Sequence, residues 1–174
     1  MKSIVIRYGV IASVIMILML LIPFYLTGGK FDMDLGEILG YVAIVAAMTM
    51  VFFGVKHYRD KTLGGKISFG NAFKIGTLIS FVGSFIYGIF EAIFCELVDF
   101  NELYLNFYVE KLQASGQSQE IIDQQIKGLT EANAMWNNPI AIGVLMFLTV
   151  FIIGVIIALV SAAILRKHPE TIIT

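Results

Sequence analysis

Charged residues fall in clusters along this chain and leave long uncharged runs between them. No charge stands between Arg7 and Lys30, so Tyr8 to roughly Leu26 is an unbroken uncharged stretch. The run Ile38 to Val55 lies between Glu37 and Lys56, and the run from Lys74 to Glu96 is interrupted only by Glu91. From Glu131 to Arg166 there is again no charge, and Ile140 to Leu165 is almost purely aliphatic and aromatic. A helix needs about 20 apolar residues to cross the hydrocarbon core of a bilayer. Neither a soluble core helix nor a strand needs runs of this length. The pattern therefore predicts four spanning helices over approximately 4–27, 36–56, 69–95 and 139–165.

The ends of these runs carry stop and start signals. Asp34 followed by Glu37 reads as a capping-box-like start for the second helix. Ser68 is placed to cap the third, and Asn138-Pro139 suits the N-cap and N1 positions of the fourth. Pro169, after Arg166-Lys167-His168, is expected to end it. Lys2 and Arg7 ahead of an apolar run also describe a secretory signal, but the run is longer than a signal core and no small-x-small cleavage site stands near its end, so it reads as a retained first span.

The segment 96–138 is too long and too patterned for a plain loop. Phe100, Leu103, Tyr104, Phe107 and Leu112 recur at helical spacing, and so do Ile122, Ile126, Leu129 and Trp136. Ala114-Ser115-Gly116 with Ser118 gives a helix stop and a restart. The third span is expected to continue outward as helix to about Gln113, turn near Gly116 and return as a second helix leading into the fourth span. The two stripes would pack on each other, with Trp136 near the headgroups.

Composition strengthens this reading. Of the 174 residues 58% are hydrophobic and 14% charged, against about half and a quarter in a soluble domain. Lys and Arg prefer cytoplasmic loops. Nine of them, Lys2, Arg7, Lys56, Arg59, Lys61, Lys66, Lys74, Arg166 and Lys167, fall on one side if the four spans alternate, and only Lys30, Lys111 and Lys127 on the other. The expected fold is thus all-α: one membrane domain over 1–174, an integral four-helix bundle with both termini cytoplasmic, and an extracytoplasmic helical hairpin between the third and fourth spans. The basic 56–74 loop serves as an orientation signal, with anionic lipid as an alternative contact. A net charge of −1 suggests no nucleic-acid partner. The single cysteine, Cys95, is too few for a disulfide framework or a zinc site.

Two features go beyond topology. Small residues recur every fourth position: Gly76, Ser80, Ser84, Gly88 and Ala92 in the third span, Gly154, Ala158 and Ala162 in the fourth, Gly36 with Gly40 and Ala43 with Ala47 in the second. Such rows let helices approach closely in lipid, where packing replaces the hydrophobic effect. They serve the packing of one bundle or, alternatively, an interface between copies. The second feature is Glu91. At 100° per residue it lies within roughly 20° of Ser80 and Ser84 and about 40° from Tyr87, so it should face the bundle interior. An acid inside a span is a functional candidate. Lys74 and Glu91 are about 25 Å apart along a helix, which puts Glu91 about 5 Å from the outer edge of a core near 30 Å thick. Tyr25, Tyr41 and Asn138 are its candidate partners by depth; Ser84 and Tyr87 share its face. His57 and His168 read as isolated solvated or interfacial residues, and Cys95 has no nearby base to activate it.

Several segments together resemble a bacterial family catalogued as domain of unknown function 4199. They are Ile6-Arg7-Tyr8-Gly9, Gly36-Glu37-Ile38-Leu39-Gly40-Tyr41, the stretch from Phe53 to Asp60, Gly65 to Lys74 with Gly76, Glu91, Tyr108 to Leu112 followed by Ala114-Ser115-Gly116, and Asn138-Pro139. The Ile-Ser-Phe-Gly-x-Ala-Phe-Lys-x-Gly stretch is the most specific. The resemblance implies a bacterial inner-membrane protein of four helices and supplies no catalytic residues. No nucleotide loop, metal-ligand spacing or nucleophile elbow stands in the sequence. The expectation is a non-enzymatic membrane interaction or structural protein, needing no cofactor. Its partners are the lipid bilayer and other membrane or periplasmic proteins, or a second copy of itself. The alternative is a small transporter or channel subunit using Glu91 as a proton or cation site.

Overall fold

The computed structural model describes residues 1–29, 33–136 and 138–167, with backbone only for Met33, Asp34, Leu35, Glu37, Met135 and Trp136. Among these residues there are six helices: α1 (Lys2–Leu26), α2 (Met33–Thr62), α3 (Phe69–Leu97), α4 (Phe100–Gln113), α5 (Gln119–Trp136) and α6 (Pro139–Leu165). Among the described residues there is no strand, only an isolated antiparallel bridge between Ile67 and Lys167. Lys2–Leu26, Ile38–Thr62, Phe69–Leu97 and Pro139–Leu165 are long and apolar enough to cross a membrane.

Two of the expected caps form. The Ser68 side chain accepts from the Asn71 amide at 3.3 Å, and Asn138 Oδ1 accepts from the Ile140 amide at 2.9 Å with Pro139 opening the helix. The other ends differ from expectation. α2 begins at Met33, which places Asp34 inside its first turn; the side chains of Asp34 and Glu37 lie outside the described residues. α2 also runs to Thr62 rather than stopping near 56. Water does not end a helix; backbone geometry does, and here the chain leaves it through Gly64 and Gly65, both at positive φ. α6 ends at Leu165, ahead of Pro169, which lies outside the described residues with His168. What stops it is tertiary: the Lys167 amide turns away to donate to the Ile67 carbonyl at 3.0 Å.

The expected continuous helix from the third span to Gln113 is broken. α3 ends at Leu97, and Asp99, at φ 49°, redirects the chain before α4 starts at Phe100. Aspartate is among the few residues that tolerate this left-handed conformation. The expected turn near Gly116 is present at φ 72°. Ser118 accepts through its backbone carbonyl from Ile121 and Ile122 at the start of α5.

α3 sits at the centre, packed against α1, α2 and α6; α2 also contacts α1 and α6. Met16, Met48, Val51, Ile75, Ile79 and Val150 fill the core between them. The outward faces stay apolar: Ile6, Val10, Val14 and Leu18 on α1, and Val144, Leu148, Ile152 and Ile156 on α6, are all exposed. α4 and α5 pack on each other and touch α3 and α6 lightly. α4 buries no residue fully, and among the described side chains of α5 Ile122 is the buried apolar one. The side chain of Trp136 lies outside the described residues.

The ends of α1, α2, α3 and α6 that carry most Lys and Arg are drawn together. Arg59 Nη1 donates to the Leu165 carbonyl at 3.3 Å. His57 is not isolated as expected: its Nδ1 pairs with the Tyr8 hydroxyl at 3.0 Å, the rings meeting edge to face. Helix α2 extends past Val55, and this extra turn brings His57 back over Tyr8.

Candidate functional site

Two helix seams position the site. The first joins α3 and α6 through small residues. A Cβ built on Gly76 would lie 2.7 Å from Ala158 Cβ, and one built on Gly154 would lie 2.6 Å from Ser80 Cβ. At the far end a Cβ on Gly88 would lie 2.7 Å from the Gly143 carbonyl oxygen, and a Cβ on Gly143 equally close to the Gly88 oxygen. The pairs descend on one helix as they rise on the other, so the helices run antiparallel with backbones in contact. Ala162 is buried beyond Ala158. The second seam crosses α3 and α1, where a Cβ on Gly83 would meet the Gly9 carbonyl at 3.2 Å. The row Gly36-Gly40 makes no such contact at Gly40, which has nothing within 4 Å, while Ala43 and Ala47 are buried.

The sequence rows therefore located α3 and the lower half of α6. They missed Gly9, Gly54, Gly83 and Gly143. Gly143 precedes Gly154 by eleven residues, about three helical turns, so it shares that face without matching a four-residue spacing. That longer period was the available signal.

Ser80, Ser84, Tyr87 and Glu91 are all buried on α3. The two serines close their hydrogen bonds inside the helix: Ser80 Oγ donates to the Gly76 carbonyl at 2.9 Å and Ser84 Oγ to the Phe81 carbonyl at 3.1 Å. Ser84 is thus committed away from Glu91. Tyr87 is not: its hydroxyl donates to Glu91 Oε1 at 3.4 Å. Helical side chains lean toward the N-terminus, so Glu91 reaches back over the residue one turn earlier. The partners expected by depth are elsewhere. Tyr25 and Tyr41 are exposed, and Asn138 spends its oxygen on the cap. Depth alone ranked them without direction around the helix axis.

Glu91 is 8% exposed, and its Oε2 has no hydrogen-bond partner. It forms part of the wall of a cleft of about 370 Å³. α3 supplies Glu91 and Cys95, α4 supplies Phe100, Asn101 and Tyr104, α5 supplies Leu129, Ala132 and Asn133, and the first turns of α6 supply Ile142, Leu145 and Met146. The break at Asp99 makes this possible. It lets α4 depart from the axis of α3, and the return along α5 closes over the end of the α3–α6 seam. Sequence reading had the hairpin and the acid but not their meeting, because the break carries no Gly or Pro. Among the described residues the wall holds one acid and no base. Among the described residues no three His, Cys, Asp or Glu side chains gather as a metal-binding group.

Neither the curated proteins nor the solved structures contain a match to this chain. The family described as Protein of unknown function (DUF4199) matches residues 7–167, nearly the whole of the described chain, and the protein belongs to that family.

Proposed function

We propose that the protein is an integral membrane protein of four crossings that works by binding partners rather than by catalysis. Its termini would be cytoplasmic and its α4–α5 hairpin on the opposite side. The observation that carries this reading is the mismatch between apolarity and coverage. In the most apolar stretch of α6 only 17% of residues are buried within the protein, and in α1 only 22%. Helices apolar all round that their own fold leaves uncovered need a hydrocarbon solvent. The gathering of basic residues at one end supports the orientation, and a bacterial inner membrane is the setting the family resemblance implies. Partners would be other membrane or extracytoplasmic proteins, or a second copy. Native-membrane purification in mild detergent should retain a partner or a dimer; recovery of the bare monomer in repeated preparations would contradict the interaction role.

A second reading is favoured by one specific feature. A buried carboxylate with an unpartnered oxygen in a cleft wall is suited to hold a cation or relay a proton, as in a small transporter or channel subunit. Glu91→Gln should then abolish a pH-dependent flux in proteoliposomes, and an unchanged flux would remove Glu91 from that role.

A further inference from the structure

We propose that the Glu91 cleft is a binding site for an amphiphilic organic ammonium: a single amine head on a compact apolar body. The proposal rests on the second reading only in taking Glu91 as a ligand-facing acid; it does not require transport.

Three observations point to this ligand class. The cleft volume, about 370 Å³, is that of a small-molecule site, and its wall has the usual make-up of one: mostly apolar, with a few convergent polar groups. The charge is one-sided. Among the described residues, Glu91 is the acid in the wall and no Lys, Arg or His stands there, and Oε2 lacks a partner. A buried carboxylate oxygen left unpaired is costly, and a cationic donor is the group that relieves it most. The third observation is aromatic. Tyr104 lines the same space, with its ring 4.7 Å from that of Tyr108; an ammonium paired with the carboxylate can also rest on such a ring face. Ile142, Leu145 and Met146 then supply an apolar wall for the body. The methionine is a flexible side chain that adapts to irregular shapes.

The carboxyl can turn to meet a ligand. Its terminal torsion is broad and two-fold, so exchanging Oε1 and Oε2 is easy. The Tyr87 bond at 3.4 Å is too long to hold it firmly. Position fits as well: the cleft lies where α3 ends and α6 begins, which in the proposed topology is the interface where amphiphilic cations concentrate.

The test uses the full chain in nanodiscs of phosphatidylcholine, with protein-free nanodiscs as baseline. The probes are 4-phenylbutylammonium and its neutral counterpart 4-phenylbutan-1-ol, compared by titration calorimetry. The wild type should bind the ammonium saturably and about tenfold more tightly than the alcohol. Glu91→Gln should erase that preference, and Tyr104→Leu should weaken ammonium binding about two- to fivefold. Ala132→Trp, which fills the cleft from an exposed position on α5, should remove binding of both probes while leaving Glu91 intact. Equal affinity for the two probes, or no binding above the lipid baseline, would overturn the proposal; so would an unchanged preference in folded Glu91→Gln. If that variant does not fold, the wild-type preference and Ala132→Trp decide the matter. Ammonium binding without any pH-dependent flux would uphold this site while refuting transport.

Discussion

The α3–α6 pair and the α4–α5 pair are both antiparallel helix pairings within one chain, yet they are built on opposite principles. α3 and α6 meet through Gly76, Ser80, Gly88, Gly143, Gly154 and Ala158, with backbone oxygens where side chains would otherwise stand. Their large residues, Phe81, Phe85 and Phe147 among them, ring the outside of the seam, where Phe81 and Phe85 stack and Phe147 meets both edge to face. α4 and α5 do the reverse. Large side chains such as Phe100, Tyr104, Leu112, Ile126 and Leu129 are half-buried, while Asn106, Glu110, Asp123 and Glu131 stay exposed. Gly128 of α5 has nothing within 4 Å of an added Cβ. Where the surroundings are as apolar as leucine, large side chains gain nothing by turning inward, and close approach of small ones wins. Where they are aqueous, burying a stripe is the driving force. In the proposed membrane orientation, the two pairings follow the solvent that each part of the chain would meet.

Substitutions should separate them by magnitude. Gly88→Leu is expected to have the largest effect. Its side chain would collide with the Gly143 carbonyl and the Phe147 backbone, and overpacking of this kind costs about 1–3 kcal/mol or more. Thermal unfolding in mild detergent should show a clear drop, and an unchanged midpoint would mean the seam is not tight. Asn138→Ala comes next, losing a cap worth about 1 kcal/mol at the point where the hairpin hands over to α6. Gly128→Ala should act in the opposite direction, raising stability by up to about 1 kcal/mol through helix propensity alone. The same substitution at Gly88 should destabilise, since even a Cβ has no room there. The sign difference between the two glycines in one unfolding assay is the sharpest form of the comparison. Tyr87→Phe should also be mild, no more than about 1 kcal/mol: the bond it removes is long, but Glu91 Oε1 is left without its donor.

How far the sequence revealed this structure follows the same division. The four long apolar helices were legible because each follows a long uncharged run, and α1, α3 and α6 begin and end within a few residues of those runs. The hairpin was legible from its stripes, down to the end at Gln113 and the turn at Gly116. Which small row meets which was not: Gly36-Gly40 looked as good as Gly154-Ala158, and only the three-dimensional arrangement leaves Gly40 open and Gly154 against Ser80. The end of α6 was set by a tertiary contact, Lys167 on Ile67, which local signals do not report, whereas α2 ends at a local signal, the Gly64-Gly65 pair at positive φ. The candidate site was half legible. Periodicity set Glu91 inward beside Tyr87, but the cleft depends on the left-handed turn at Asp99, and an aspartate is a weak marker of such a turn.

The central claim is that α1, α2, α3 and α6 cross a bilayer with both chain ends on one side and the hairpin on the other. Single cysteines placed at the exposed positions Ser3, Ser115 and Lys167 in a Cys95→Ala background test it directly, using a membrane-impermeant thiol reagent on intact cells. Ser115→Cys should label at once, and Ser3→Cys and Lys167→Cys only after permeabilisation. Labelling of Ser3→Cys and Lys167→Cys from opposite sides, or of all three from the same side, would contradict the account.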